Sequence, residues 1–444
     1  MKNRQSRHRE SFVSSTVGKC YKYIETNMIK QYIKQAFYLL KENKLISFIS
    51  IVGTAFAIAM IMVITILFQI KNADYRPEVN RSRTLYIQFG ESFMKDNPER
   101  RNSINFFLSL DFMKECILPL KTPERVTLVS RMNVPLSIPS GDERIPGMVK
   151  YTDTSFDGFY DFNYLAGGMF SEADFQSGVK KAVIREYVAR QLFHTTDVVG
   201  REIYIDGIPF TVCGVIENFS RWASFAFADV YAPYTYREQW WGGNEQIQGN
   251  FTAMILAKSP DDFEAIRREI NMAVERFNQH QTTYTIGLRE QPYSHFQQLF
   301  FRWGDGLPDV TENVTRYGII LLILLLVPAI NLSGLTLSRM QRRMEEIGVR
   351  KAFGATRWQL MNQVLSENLL LTLLGGLLGL VLSYIALFLM KDWLLDGGKF
   401  ISFEMIASPL IFLLAFLFCL LMNLLSAGIP AWSVARKNIT DALK

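Results

Sequence analysis

Cysteine is scarce in this chain of 444 residues, and the four it has (Cys20, Cys116, Cys213 and Cys419) stand far apart with no C-x-x-C pair. That spacing leaves no basis for a cysteine metal cage or a dithiol redox motif. No H-E-x-x-H occurs, and His194, His280 and His295 lack close carboxylate spacing, so a zinc site has no support. A G-x-S-x-G nucleophile elbow is also missing. Carboxylates are plentiful but scattered, which gives paired-carboxylate catalysis little to stand on. Nor is there a G-x-x-x-x-G-K-[ST] loop to cradle phosphates, so nucleotide hydrolysis would have to come from a separate polypeptide. The chain therefore reads as a non-enzyme with no metal or cofactor of its own. Cys116 and Cys213 leave two readings open, a disulfide in an oxidising compartment or small buried hydrophobes.

Long apolar runs are what the sequence does have. Hydrophobic residues make up 49% of it, yet its mean hydropathy is only +0.08, as expected for membrane helices joined to a folded polar domain. Four runs are long enough to span a bilayer: 45–70, 317–338, 366–390 and 408–428. The first is too long, and follows too extended a lead, for a cleaved signal peptide. Basic residues set the orientation. Residues 1–44 carry ten basic and three acidic side chains, the loop 339–365 six and two, and the tail 429–444 three and one. The short loop 391–407 has two basic and three acidic residues, and 71–316 has 27 and 32. Both termini and the 339–365 loop are thus expected in the cytoplasm of a bacterial inner membrane, with 71–316 and 391–407 outside. The overall charge of +6 is mainly this topology signal and gives no reason to expect nucleic acid.

Segment 71–316 reads as a mixed α/β domain inserted between the first and second spans, giving an α+β fold class with four transmembrane helices. The spacing predicts a helix over Ser103–Leu118 and strands at Val126–Ser130, Gly147–Thr152 and Lys181–Ile184. A helix over Glu186–Phe193 and a hairpin turning at Gly207 follow. Further on come a strand at Phe251–Lys258, an amphipathic helix over Asp261–Gln279 capped near Ser259 or Asp261, and a strand at Thr283–Leu288.

In the cytoplasmic loop, Met340, Met344, Ile347, Ala352 and Phe353 fall near helical spacing, with charges opposite and Gly354 where a helix stop belongs. A new helix is expected from about Thr356. The first of these helices is either a membrane-surface helix with snorkelling basic residues or a docking element for a cytoplasmic partner. Upstream, Met28, Tyr32, Ile33, Ala36, Phe37 and Leu40 make an interfacial stripe against membrane lipid. Gly375, Gly376 and Gly379 form a small-residue face on the third span, suited to packing within the chain or against a second copy. Pro328 and Asn331 suggest a bend in the second span.

The stretch EIGVRKAFGA (346–355), followed by LLGGLLGL (373–380), resembles the permease signature of FtsX/MacB-like ABC transporters. Residues 28–53 resemble that family's surface helix leading into its first span, and 156–170, 181–193 and 199–219 its MacB-type periplasmic core domain. Residues 430–444 resemble its C-terminal tail. The resemblance implies a dimer, with itself or a related permease, driven by two cytoplasmic ATPase subunits that bind the ATP, with a periplasmic adaptor as a further partner. It implies a mechanical device that passes ATPase motion to the periplasmic side for export or extraction of an antimicrobial, peptide or lipoprotein. It assigns ATPase coupling to Arg342, Arg343, Glu345, Glu346, Ile347, Gly348, Val349, Arg350, Lys351, Ala352, Phe353, Gly354 and Ala355. It also implies an inserted, more β-rich lobe near 180–245. MacB-type members carry their ATPase in the same chain, and this sequence departs from them there. The alternative is a non-transport scaffold that couples an ATPase to cell-wall enzymes.

Overall fold

The computed structural model describes residues 44–96, 101–139, 143–236, 247–301, 308–323, 326, 349, 353–354 and 356–390, and scattered positions between 410 and 428. The chain divides into two units, residues 67–314 with 390–405, and the remainder.

The first helix, α1, runs Lys44–Asn72. Then follow β1 (Thr84–Ile87), β2 (Gly90–Met94), β3 (Arg101–Phe106), α2 (Leu110–Cys116), β4 (Arg125–Ser137) and β5 (Arg144–Thr152). The middle of the domain holds β6 (Tyr164–Gly167), α3 (Glu172–Gln176), β7 (Lys181–Arg185), α4 (Glu186–Phe193), β8 (Glu202–Ile205) and β9 (Ile208–Ile216). After β10 (Val230–Pro233) and β11 (Phe251–Leu256) come α5 (Phe263–His280), β12 (Tyr284–Gly287), β13 (Tyr293–Ser294) and α6 (His295–Gln298). Last is α7, Arg357–Leu389.

In the membrane unit, among the described residues, two helices are long and apolar enough to cross a bilayer, Ser47–Asn72 and Asn368–Leu389. They coincide with the expected first and third spans. Most of the second span, with Pro328 and Asn331, and part of the fourth lie outside the described residues, as do the lead 1–43 and the loop 391–407.

The domain is mixed α/β. Ten strands form one sheet in the order β13-β1-β11-β4-β5-β10-β7-β9-β6, and β8 pairs with both β4 and β9. Strand β4 is long enough to serve two partners along one edge. Residues 125–130 pair with β11, and Leu136 and Ser137 pair with Ile205 and Tyr204 of β8. Strands β4, β5, β10, β7, β9 and β8 therefore close into a ring. The inserted, more β-rich lobe expected near 180–245 is therefore not built from that segment alone. Strands β7 to β10 of that segment are woven into the same sheet as β4 and β5, because each finds its neighbours there. The β8–β9 hairpin turns where the sequence predicts, with Asp206 (φ +51°) and Gly207 (φ +75°) supplying the paired positive φ of a type I′ turn.

In this sheet, strands β1 and β10 are buried on both faces, with every residue of each buried. One face, with Leu85, Val134, Leu136, Val149 and Ile255, joins the main core. Helix α5 packs into that core through Ile266, Ile270, Ala273, Val274 and Phe277, the stripe a 3.6-residue period lays down. The opposite face carries Tyr86, Val129, Val183, Tyr231 and Met254 against an aromatic group of Phe156, Phe159, Phe219 and Phe227.

The helix expected over 103–118 is corrected by the structure. Residues 101–106 form β3 in a three-stranded sheet with β2 and β12, and the helix begins only at Leu110. Ser109 sets that start by accepting a hydrogen bond from the Phe112 amide at 3.1 Å. Pairing with β2 outweighs the helical period of the preceding apolar residues. The other predicted elements of the domain stand within a few residues of their expected bounds, although β4 extends to Ser137 and the cap Ser259 opens a single 3-10 turn before α5.

Candidate functional site

Of the thirteen residues assigned to ATPase coupling, Val349, Phe353 and Gly354 are described. Arg342, Arg343, Glu345, Glu346, Ile347, Gly348, Arg350, Lys351, Ala352 and Ala355 lie outside the described residues. The described joint has clear geometry. The Phe353 amide donates to the Val349 carbonyl at 3.1 Å, and Gly354 follows at φ +90°, a conformation that ends a helix and favours glycine. Thr356 then opens α7 with reciprocal bonds: its Oγ1 accepts from the Gln359 amide, and the Gln359 side chain accepts from the Thr356 amide. Two large aromatics stand out from this joint, Phe353 at 88% exposed and Trp358 at 70%. Trp358 lies beyond the signature that assigns the coupling residues, so the resemblance does not reach it.

The glycine face packs within the chain. A Cβ built on Gly375 would lie 2.7 Å from the Thr54 Cβ, and one on Gly379 would lie 2.7 Å from the Ala55 carbonyl oxygen, both on α1. Gly376 faces elsewhere, with its Cβ position 2.8 Å from the Phe416 ring. Only residues without a side chain let these backbones approach so closely.

In the domain, the last turn of α1 is held by a buried ionic hub that sequence spacing did not reveal. Arg81 is 2% exposed and uses all five guanidinium hydrogens. They go to Glu78 Oε2 (2.5 Å), Ile70 O (2.7 Å), Ala73 O (3.0 Å), Tyr75 Oη (3.0 Å) and Trp222 O (3.2 Å). Two of these are carbonyls at the end of α1, which have no partner within their own helix. A cation at a helix C-terminus is also favoured by the helix dipole. Glu78 completes the hub by accepting from the Phe225 and Ala226 amides at 2.8 and 2.7 Å. A buried pair this fully bonded is stable as it stands, whereas deleting one partner strands a charge at a cost of about 3–5 kcal/mol.

His295 adds a third grip. Its Nε2 lies 2.8 Å from the Lys71 carbonyl, which can only accept, so Nε2 carries the proton. Nδ1 then accepts from the Tyr86 hydroxyl at 3.2 Å. Burial holds the ring below its ordinary pKa and keeps it neutral in this arrangement. His194 instead closes α4 at φ +57°, and His280 ends α5, exposed. Cys116 and Cys213 are both free thiols. Burial pushes their pKa values up to about 12 and about 11, so neither is activated.

Asp153 is a buried carboxylate raised to about 6 by desolvation, but it accepts from Thr127 Oγ1 at 2.8 Å and the Leu128 amide at 3.0 Å. Those bonds tie β4 to the turn after β5, a structural role. Among the described residues no group of three or more His, Cys, Asp or Glu could hold a metal ion. Beside the hub lies a cavity of about 590 Å³.

Comparison with known proteins gives these parts a common context. Residues 47–273 match the family described as the MacB-like periplasmic core domain, and 318–439 the FtsX-like permease C-terminal family. YknZ of Bacillus subtilis, an uncharacterised ABC transporter permease, is 27% identical over 293 residues, covering 65% of this chain and 68% of YknZ. The macrolide export ATP-binding/permease protein MacB of Escherichia coli is 24% identical over 422 residues, covering 93% of this chain. The chain spans 60% of the length of MacB. Among solved structures, the extracellular domain of YknZ matches with a TM-score of 0.33 at 16% identity, covering 46% of this chain and 99% of that one. The periplasmic region of MacB from Actinobacillus actinomycetemcomitans matches at 0.35 and 16%, covering 50% and 93%.

Proposed function

This chain belongs to the family of ABC transporter permeases that join a MacB-like periplasmic core domain to an FtsX-like permease domain, and on that premise we propose that it converts motion of a separate cytoplasmic ATPase into motion of its external domain. The observation that carries this reading is the grip on the last turn of α1. Arg81 and His295 hold the carbonyls of Ile70, Lys71 and Ala73, so a displacement of the helix is delivered to the sheet rather than lost in a slack linker. The input end in this reading is 342–357, with exposed Phe353 and Trp358 supplying apolar contact to the ATPase and Arg350 and Lys351 supplying charge. The cargo class is an antimicrobial, peptide or lipoprotein handled outside the membrane, and the working unit is a dimer.

The test is reconstitution with the ATPase that co-purifies with the chain. A proline at Ala352, or charge reversal at Arg350 and Lys351, is expected to abolish the complex or its stimulated ATPase activity. Unchanged complex and unchanged activity in these variants would remove the coupling assignment. Arg81→Met is expected to behave differently, keeping the ATPase complex while losing the response of the external domain.

A further inference from the structure

The cavity beside the hub has a lopsided lining. Lys71, Arg131, Lys150, Arg221 and His295 reach it, and among the described lining residues there is no carboxylate. Glu78 is the nearby acid, but its two oxygens are taken by Arg81 and by two backbone amides.

Lys71, Arg131, Lys150 and Arg221 are the cations, His295 being neutral, and two of them are set against each other by the fold. Arg131 on β4 and Lys150 on β5 are direct cross-strand partners. Like charges placed opposite one another on a sheet repel, and an anion between them would relieve that repulsion. Lys150 is only 4% exposed. Its ammonium donates to two carbonyls, Ser224 O at 3.3 Å and Phe225 O at 2.5 Å. An ammonium has three hydrogens, so one remains for a further acceptor. Neutral carbonyls balance a buried charge only in part, and desolvation pulls the Lys150 pKa down to about 7, opposed by the attraction of Glu78 and aided by a smaller push from Arg131. The rest of the lining is apolar or aromatic, with Phe107, Trp222, Phe225 and Leu299 prominent. Lys71 lies over the Trp222 ring at 4.4 Å, which fixes that wall.

We propose that this cavity binds a phosphate-bearing amphiphile, its headgroup between Lys150 and Arg131 and its apolar part against Trp222, Phe225 and Leu299. Several cations without a carboxylate suit a headgroup of more than one negative charge, a phosphate monoester rather than a carboxylate. A volume of about 590 Å³ is that of a small-molecule site. The apolar walls distinguish this from a site for the free ion. The proposal is independent of ATPase coupling, and its failure would leave that reading untouched.

The experiment titrates the full chain, purified in dodecyl maltoside, with dihexanoyl phosphatidic acid and follows tryptophan fluorescence and heat. Saturable binding is expected, with none for dihexanoyl glycerol, which lacks the phosphate. Arg131→Gln should weaken it about tenfold, the worth of one charge-assisted hydrogen bond. Lys150→Met should weaken it at least as much. Arg131 is exposed, so its variant decides the matter even if the Lys150 variant does not fold. Inorganic phosphate is the competitor. If it displaces the probe, the headgroup alone is recognised and free phosphate is a source. If it does not, the ligand is a phosphorylated lipid. No saturable binding, equal binding of the neutral glyceride, or undiminished binding by Arg131→Gln would overturn the proposal.

Discussion

Arg81 shows how one side chain can take on a load that no neighbouring residue could share. Its five hydrogens meet five acceptors, two of them the open carbonyls at the end of α1. Lysine has the same charge but three hydrogens and no planar fork, so Arg81→Lys keeps the ion pair and loses part of the grip. Arg81→Met leaves Glu78 buried and unpaired, with an expected loss of about 3–5 kcal/mol in the stability of the domain. Thermal unfolding of the full chain in detergent measures this, and a loss below about 1 kcal/mol would mean that the hub carries little. Lys150 makes a prediction in pH. Unfolded, a lysine holds its proton to about pH 10.5, and folded, Lys150 releases it at about 7. Between those values the unfolded chain binds a proton that the folded chain does not. The folded state therefore gains stability as pH rises through this window and loses it as pH falls toward 7. Lys150→Met should remove that slope, so the difference in Tm between wild type and variant should shift in favour of wild type from pH 7 to 10. Parallel curves would show that Lys150 is an ordinary lysine.

At the scale of elements, the sequence was most legible where local chemistry decides. The Asp206-Gly207 turn, the stripe of α5 and the glycine stop at Gly354 each act within a few residues, and each stands where the sequence places it. The failure at 103–118 is of another kind. Residues 101–106 have helical spacing, but their backbone pairs with β2, whose own partner β12 comes from nearly 180 residues later. No window of local sequence contains that information. The glycine face lies between these cases, because the sequence shows that close packing is allowed but not with what. The α1–α7 contact makes a paired prediction. Gly379→Ala puts a methyl 2.7 Å from the Ala55 carbonyl and should destabilise the helix pair by about 1–3 kcal/mol. Gly53→Ala meets nothing within 4 Å and should be neutral or slightly stabilising, since alanine is the better helix former. Equal effects of the two in detergent unfolding would contradict the packing described.

For the molecule as a whole, the proposed input and output ends lie far apart in sequence. The joint at 349–356 and the hub at 70–81 are separated by some 270 residues of chain, yet each sits at the end of a long helix. If α1 is the output arm, interrupting it should uncouple the ends without unfolding either. Three glycines inserted after Asn72 are expected to leave ATPase binding intact and to abolish the protease-protection change of the external domain on ATP addition. A retained change would show that force travels by another route.

The sequence by itself determined the first and third apolar spans, the mixed α/β character of the domain after the first, and the family resemblance. Those properties come from composition and short motifs, which are local or additive along the chain. Only the tertiary structure decided that β4 closes the strands into a ring, that Arg81 and His295 hold the end of α1, and that Lys150 and Arg131 stand side by side on the lining of a cavity with no carboxylate among its described residues. Each of these depends on strand register and on burial, and both are set by partners distant in sequence. The hub could be suspected only from Glu78 and Arg81 standing just beyond an apolar run, and the cavity left no trace in the order of residues at all.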